Sequence, residues 1–508
     1  MHITITTPLY YVNDKPHLGS TYTTIACDAF ARYHRLIGNK VEFITGVDEH
    51  GQKIQRTAES KNIKPIEHCD SISKEYQDLW SQWFISNDHF VRTTSHQHID
   101  LVERFFKKVN DNGDIRIGNQ KGWYCVGCEE YKEVKANNNS PECPIHLTML
   151  EWRDEENLFF CLSKYQKEIE KLVSDSSFIQ PSTRRNEIIN FVSKGLKDFS
   201  ISRINVKWGI PVPGYKGHTF YVWFDALLGY ISALSDNQQN IILEKGKLKG
   251  WPNAIHVIGK DILRFHAVYW PAMLMSAGLD IPQKVFGHGF LTREGLKMGK
   301  SLGNVLDPKE LLDKYGDEPL RWFLLSDIKF GQDGDFQQKR FIELVNNDLA
   351  NTIGNLLNRT LNMSRKWFNN SIPTDIDYNN DNELKVLAKS IINDSLVYYE
   401  NLSFKEVCQL LIKLSSASNL YLNDKQPWKL IKDNNRIGEV SQYIYNVLES
   451  CRIIALLINP ILPKISQEIL RQLGYKNILN EWKDELKWGR LKEGTKLPIP
   501  KPILNRIE

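Results

Sequence analysis

His2-Ile3-Thr4-Ile5-Thr6-Thr7-Pro8-Leu9-Tyr10-Tyr11, then Val12-Asn13-Asp14-Lys15-Pro16, then His17-Leu18-Gly19-Ser20: the reading of this opening stretch decides the fold. His2 to Tyr11 is rich in β-branched and aromatic residues and reads as a strand. A helical pattern follows, with Leu18, Ile25, Ala26, Ala29, Phe30, Tyr33 and Leu36 mostly three or four residues apart. Gly38-Asn39 stops it, and Val41 to Thr45 is a second short apolar strand. Strand, helix and strand in this span make a βαβ unit, so a right-handed parallel sheet is expected. His17 falls where the first strand passes into the helix. There, backbone N–H groups and a positive helix end face outward and suit a phosphate. A histidine can donate to a phosphate oxygen, and Gly19 leaves room for an adenine ring against the backbone. Taken alone, the same four residues read first as a helix start with no ligand.

Working outward, the character changes between residues 117 and 220, where Trp123, clustered cysteines and the polar loop Asn137-Asn138-Asn139-Ser140-Pro141 occur. Strand signals return at Thr219–Phe224, Ala254–Ile258 and Lys284–Phe290. This is the pattern of a domain inserted into the sheet domain, which then resumes. After about residue 345 helical patterns take over, as at Leu349, Ile353, Leu356 and Leu357, and a helical bundle is expected to about residue 480. The tail, with Pro498, Pro500 and Pro502 among lysines, should be extended.

Three further segments carry chemistry. Lys297-Met298-Gly299-Lys300-Ser301 puts two cations on a glycine-dotted loop. Such a loop can close over a triphosphate and neutralise charge as pyrophosphate leaves, or it can be a solvated surface loop. It is not a P-loop, because the Gly-x4-Gly-Lys-Ser/Thr spacing is absent. Gly259-Lys260-Asp261 follows a strand and offers a tight turn with a carboxylate able to hold a ribose, or a plain βα turn. Cys125-x2-Cys128 and Cys143-x2-His146 are two pairs of soft ligands that can close a tetrahedron around Zn2+. Four protein ligands leave no open position, so this zinc is structural. Cys27, Cys69, Cys161, Cys408 and Cys451 have no such partners and read as small buried residues.

Composition narrows the class. The 508 residues imply several domains, and 41% hydrophobic with 25% charged residues is ordinary for a globular chain. A formal charge of +4 gives no overall argument for nucleic-acid binding. The first residues lack a basic n-region, and no apolar run reaches the roughly 18 residues of a membrane span. A cytoplasmic protein with no membrane partner is expected, with its thiols reduced.

The His17 and Lys297 segments, in this order and with the cysteine knuckle between them, resemble the signatures of the methionyl-tRNA synthetases, a class I aminoacyl-tRNA synthetase family. Further matches run along nearly the whole chain: Pro8–Asn13, Gly46-Val47-Asp48-Glu49-His50-Gly51, Asp198–Arg203, Tyr221–Ala226, Asp261–His266 and Gln426-Pro427-Trp428. The resemblance implies an α/β fold: a Rossmann-like parallel-sheet catalytic domain with an inserted zinc-binding domain, followed by an α-helical bundle. Its parts would be residues 1–116 and 221–292 (catalytic halves), 117–220 (zinc insertion), 293–345 (lysine-signature and stem-contact region) and 346–508 (anticodon-binding bundle and tail). The implied reaction forms methionyl-adenylate from methionine and ATP, with Mg2+ accompanying the ATP, then transfers methionine to the terminal adenosine of tRNA(Met).

By the same resemblance, His17, Ser20, Lys297 and Lys300 are catalytic, and ATP is also met by Gly19, Gly259, Asp261 and His288. Asp48 would bind the methionine ammonium, a sensible use of a fixed anion. Leu9, Tyr11, Trp223, Leu227, Tyr230, Phe265 and His266 would surround the thioether, where aromatic contacts to sulfur contribute about 0.3–1.5 kcal/mol each. Asn355, Arg359 and Trp428 match anticodon-contacting positions, and Trp428 is the candidate stacking platform. Two positions depart from the family pattern His-Ile/Leu-Gly-His and Lys-Met-Ser-Lys-Ser: Ser20 replaces a histidine and Gly299 a serine. A chain ending at Glu508, soon after the bundle, is expected to act as a monomer.

Rival readings are a class I synthetase for another amino acid, a small-molecule nucleotidylyltransferase, and a non-catalytic zinc and RNA-binding module. The insertion is short for an editing domain, which disfavours leucine, isoleucine and valine. A cysteine enzyme would hold zinc in its amino-acid pocket. Trp428 with Asn355 and Arg359 disfavours the nucleotidylyltransferase, and His17 with the lysine pair disfavours the non-catalytic module.

Overall fold

The computed structural model describes all residues except 128, 133–140, 145–147, 205, 235–247, 249, 299–303 and 477–480, with Lys297 described in its backbone only. Its residues form two compact units: a sheet unit of residues 2–16 and 41–288, and a helical unit of residues 1, 17–40 and 289–508.

The sheet unit is built on six strands in the order His89–Arg92, Lys40–Asp48, His2–Tyr11, Ala254–Gly259, Lys284–His288, Ile179–Gln180. The ladders between His2–Tyr11 and Ala254–Gly259, and between Ala254–Gly259 and Lys284–His288, are parallel. Ile3, Thr4, Ile5, Thr6 and Thr7 are all fully buried, so both faces of the first strand are covered. That is why its sequence is a continuous β-rich run rather than an alternating one. The strand order reverses between His2–Tyr11 and Ala254–Gly259. In doubly wound sheets ligands bind at the carboxyl ends of the strands flanking such a reversal. Here those ends carry Leu9, Tyr11 and Gly259.

A second, antiparallel sheet runs Glu130–Lys132, Ile115–Cys125, Glu151–Phe160, Phe199–Ser200. It forms much of the segment expected as an insertion, although Ile179–Gln180, from the same segment, is the edge strand of the main sheet. One strand expectation is corrected. His218–Phe220 pairs antiparallel with Ser202–Ile204, but Val222–Ala226 is a helix. A short apolar run serves a buried helix as well as a strand, and the fully buried Phe224 and Asp225 occupy helical positions.

In the helical unit, Leu18–Leu36 is a helix, and a small sheet joins Leu296–Lys297, Leu291–Arg293 and Gly334–Phe336. Helices Asn355–Trp367, Glu383–Glu400, Phe404–Lys425, Ile437–Ile458 and Pro463–Gln472 form the bundle. Residues 440–441 and 444–458 of Ile437–Ile458 are all buried, including the ion pair of Glu449 and Arg452. Arg321 Nη2 donates to Asp28 Oδ2 at 2.6 Å and its Nε to the Ile461 carbonyl at 2.7 Å, tying the Leu18–Leu36 helix to a bundle turn. From Pro498 on, the described backbone has no regular structure. Cys27, Cys69, Cys161, Cys408 and Cys451 are all buried. Among the described residues no helix is long and apolar enough to cross a membrane.

Candidate active site

His17, Gly19 and Ser20 open the Leu18–Leu36 helix of the helical unit. His17 is its N-cap: Nδ1 accepts from the N–H groups of Gly19 (3.1 Å) and Ser20 (3.3 Å). With Nδ1 an acceptor, Nε2 carries the hydrogen and can donate outward. The Ser20 hydroxyl donates to the His17 carbonyl at 2.7 Å and accepts from the His17 N–H at 3.2 Å, closing a capping box. Serine at this position thus serves the helix start directly. A Cβ at Gly19 would lie 2.9 Å from the imidazole, so glycine keeps the ring in place.

The lysine segment leaves a hairpin in the same unit. Glu294 (φ 50°) and Gly295 (φ 75°) make its turn, a left-handed pair as in tight hairpins. Asp335 pins it, accepting from Gly295 N–H at 2.8 Å and from the Thr292 hydroxyl at 2.6 Å. The Lys297 side chain, Gly299 and Lys300 lie outside what is described.

The sheet unit brings the methionine-side residues together. Trp223 and Phe265 stack with centroids 4.0 Å apart and planes 6° from parallel. His266 stands edge-on to Trp223, and Tyr230 Oη donates to His266 Nε2 at 2.8 Å. His266 Nδ1 donates to the Ile262 carbonyl at 3.1 Å, so both ring nitrogens are committed in the neutral form. Burial pulls its pKa down to about 4, against that carbonyl contact. Phe265 and His266 open a π-helical turn, Phe265–Tyr269, a local bulge common at functional sites. Leu227 is buried in the same core, and Leu9 packs where a Cβ at Gly229 would meet it at 2.4 Å.

Asp48 ends the second strand, 7% exposed, and its backbone carbonyl accepts from Val12 N–H at 3.1 Å. Burial pushes its carboxyl well above the usual range, and the carboxylates of Asp225, Glu129 and Glu49 push it further. Its side chain accepts one long bond, from His50 N–H at 3.4 Å. Among the described residues no cation pairs with it. Asp225, by contrast, receives His50 Nδ1 at 2.7 Å and His98 Nε2 at 2.6 Å. Burial pushes Asp225 up, but the two imidazoles outweigh it and hold its pKa at about 2. One carboxylate is thus satisfied by two imidazoles, while its neighbour accepts one long bond from a backbone N–H.

Gly259, Asp261 and His288 lie at the strand ends beside the reversal. Gly259 faces His288 across the ladder. A Cβ on Gly259 would come within 2.6 Å of Asp261 Oδ1, so only glycine lets the carboxylate fold back there. A cavity of about 350 Å³ opens beside Phe265, bordered by Lys121, Lys132, Lys197 and Arg264 and by Glu130 and Asp198, with Lys132 and Arg264 both paired to Glu130.

At the knuckle, Cys125 (1% exposed) ends a strand and clusters with the fully buried Cys143 and the buried Leu150, against which the partly buried Trp123 packs. Cys143 N–H donates to the Thr148 carbonyl at 2.8 Å and Leu150 N–H to that of Pro141 at 2.9 Å. Two buried thiols in one apolar cluster fit half of a tetrahedral thiolate site. Cys128 and His146 lie outside the described residues, and among those described no group of three ligands assembles.

In the bundle, Arg359 lies over the Trp428 ring at 4.9 Å, and its Nη1 and Nη2 both donate to Asn423 Oδ1 at 3.2 Å. Asn355 is exposed one turn earlier on the same helix. Gln426, left-handed at φ 45°, breaks the chain direction just before Pro427-Trp428.

Sequence reasoning missed Asn423, Glu129 and the His50–Asp225–His98 chain. His50 and Asp225 lie inside quoted segments, so a signal existed there. His98 is one polar residue in a helix, and only packing reveals its partner.

The chain matches the family described as tRNA synthetases class I (M) over residues 3–145 and 132–361, and the anticodon binding domain of methionyl tRNA ligase over residues 375–508. It is 49% identical to a methionine–tRNA ligase of Synechocystis sp., covering 99% of this chain and 97% of that one. It is 52% identical to one of Nostoc sp. over the same shares. A Mycobacterium tuberculosis methionyl-tRNA synthetase in complex with methionyl-adenylate superposes with a TM-score of 0.90 at 34% identity, over 99% of both chains.

Proposed function

The chain belongs to the methionyl-tRNA synthetases of class I, and from that membership we propose how its residues share out the reaction. It is a methionine–tRNA ligase: it activates L-methionine with ATP and joins it to the 3′-terminal adenosine of its tRNA.

The observation that carries the assignment of the methionine site is a buried carboxylate, Asp48, with no cation partner among the described residues, in the unit that also builds an aromatic wall from Trp223, Phe265, Tyr230 and a neutral His266. Asp48 takes the ammonium. Leu9, Tyr11, Leu227 and the wall enclose the thioether, which asks for contact surface rather than hydrogen bonds. A neutral His266 adds no charge to an apolar slot. Shape alone discriminates by about 1–3 kcal/mol per methylene, so close apolar analogues are weakly excluded.

ATP enters with its Mg2+. Gly259 gives room for the adenosine, Asp261 takes the ribose hydroxyls, and His288 adds a polar contact. His17 Nε2–H donates to phosphate, and Gly19 and Ser20 hold His17 in the orientation that allows this. The methionine carboxylate attacks the α-phosphorus, the bond to the β-phosphate oxygen breaks, and pyrophosphate leaves with its charge met by Lys297 and Lys300. The 2′-hydroxyl of the terminal adenosine then attacks the acyl carbon and AMP leaves. No protein nucleophile is needed, because positioning and electrostatics carry the rate.

The knuckle holds one structural Zn2+ through Cys125, Cys128, Cys143 and His146, and the ion, when bound, cross-links the insertion. In the bundle, Trp428 stacks an anticodon base while Asn355 and Arg359 bond base edges, with Arg359 aimed by Asn423. The enzyme works as a monomer in the cytoplasm.

Pyrophosphate–ATP exchange measured with each of the twenty amino acids tests the reading. Exchange with methionine should dominate. Exchange that is stronger with another amino acid sinks the methionine assignment.

A further inference from the structure

The carboxylate of Glu129 gathers three donors in the sheet unit. Tyr11 Oη donates to Oε1 at 3.2 Å, Lys53 N–H to the same oxygen at 3.1 Å, and Tyr124 Oη to Oε2 at 2.5 Å. The residue is 6% exposed. Tyr11 ends the first strand. Lys53 lies in the first turn of the helix Gln52–Ser60, which starts just after Asp48-Glu49-His50-Gly51. Glu129 thus grips two chain segments at once, one carrying Tyr11 and one following Asp48.

The backbone there is held in an uncommon shape to do this. Glu129 has φ 51°, the left-handed region that a side chain bearing Cβ rarely adopts. Tyr221 Oη donates to its carbonyl at 2.6 Å and its own N–H donates to the Val126 carbonyl, which fix that shape. Gly51 leaves the space: a Cβ there would lie 2.6 Å from Tyr11 Oη and 3.0 Å from Glu129 Oε1, at a φ of 116°. Glu129 directly follows the knuckle residue Cys128 in the chain.

We propose that Glu129 is a positioning residue for methionine binding: it sets the Tyr11 hydroxyl and the turn after Asp48, so that the knuckle segment shapes the amino-acid pocket. The proposal rests on the assignment of Tyr11 to the methionine site. An amide at this position removes the charge that the three donors bond to and sets an NH2 group against a tyrosine hydroxyl, which must reverse to accept from it, so the grip on Tyr11 weakens.

The test is a double-mutant cycle of Glu129→Gln and Tyr11→Phe in the full chain. Methionine KM, ATP KM and kcat are read in pyrophosphate exchange, methionine Kd by calorimetry, and the melting temperature alongside. Each single change should raise methionine KM and Kd about tenfold, the size of one lost bond to a charged group, and leave ATP KM within twofold. The double variant should be no worse than the poorer single one. Effects that multiply overturn the positioning role and leave the Tyr11 assignment standing. An unchanged methionine Kd in Tyr11→Phe overturns that assignment and the inference with it. Glu129→Asp keeps the charge but falls short of Tyr11, and should reproduce the methionine defect if Glu129→Gln folds poorly. Normal methionine affinity in Glu129→Asp overturns the proposal.

Discussion

Replacing Asp48 with asparagine should make the free protein more stable and the enzyme worse. The carboxylate is 7% exposed, accepts one bond of 3.4 Å, and lies near Asp225, Glu129 and Glu49. Its charge is therefore held at a cost when no ligand is bound. An amide in its place would keep the bond from His50 N–H and shed the charge. Relieving a poorly solvated polar group of this kind is worth about 1–3 kcal/mol in proteins. In a domain of this size that raises the melting temperature by about 2–4 °C per kcal/mol. The pH dependence has a definite sign. Asp48 is an acid whose folded pKa lies above its unfolded value of 3.8, so the folded state holds the proton more tightly. Wild-type stability then falls as pH rises from the unfolded value through the raised one. The advantage of the variant should grow as pH rises and vanish below about pH 4. Methionine binding moves the other way. Losing one charge-assisted bond to the ammonium costs about 1.5–3 kcal/mol, or roughly 10- to 150-fold in methionine KM. Thermal melts of both proteins from pH 4 to 8, with and without saturating methionine, check the first effect, and pyrophosphate exchange checks the second. A variant less stable than wild type at pH 7.5 without ligand, or a methionine KM within twofold, refutes the reasoning.

His266 has a folded pKa of about 4 against 6.5 unfolded, so the unfolded chain takes up its proton first as pH falls. Stability should drop between pH 6.5 and 4 by up to about 3 kcal/mol from this group, and urea titrations of His266→Gln should show a shallower decline there. Tyr230→Phe leaves the buried His266 Nε2 without its donor, and should cost about 1–3 kcal/mol in the same titrations with little change in packing. Trp428→Ala should raise the KM for tRNA by about 10-fold while pyrophosphate exchange stays unchanged, and an unaltered KM would remove the base-stacking role. Glu449→Gln breaks a fully buried pair with Arg452 and weakens contacts from the N–H groups of Gly489, Arg490 and Leu491. It should destabilise by about 3–5 kcal/mol in a denaturant melt while leaving methionine activation intact at low temperature.

Features that depend on near neighbours could be read from the chain alone. The β-rich run to Tyr11, the helical spacing from Leu18 and the stop at Gly38-Asn39 are local preferences, and the strand and helix stand where those preferences put them. The opening signature was legible for the same reason, since a helix cap is built from residues a few positions apart. The Tyr221–Ala226 stretch was not, because a short apolar run carries no period that separates strand from helix. Packing alone sets which polar groups pair across long separations. Asp48 and Asp225 are both aspartates inside quoted segments, yet Asp225 meets His50 and His98 while Asp48 meets one distant amide. Ser20 reads as a departure in the sequence but closes the cap that orients His17. Glu129 carries no motif of its own, and only the fold sets its carboxylate against Tyr11 and Lys53. Burial, not residue type, fixes the cost of a charge, and burial is settled by packing.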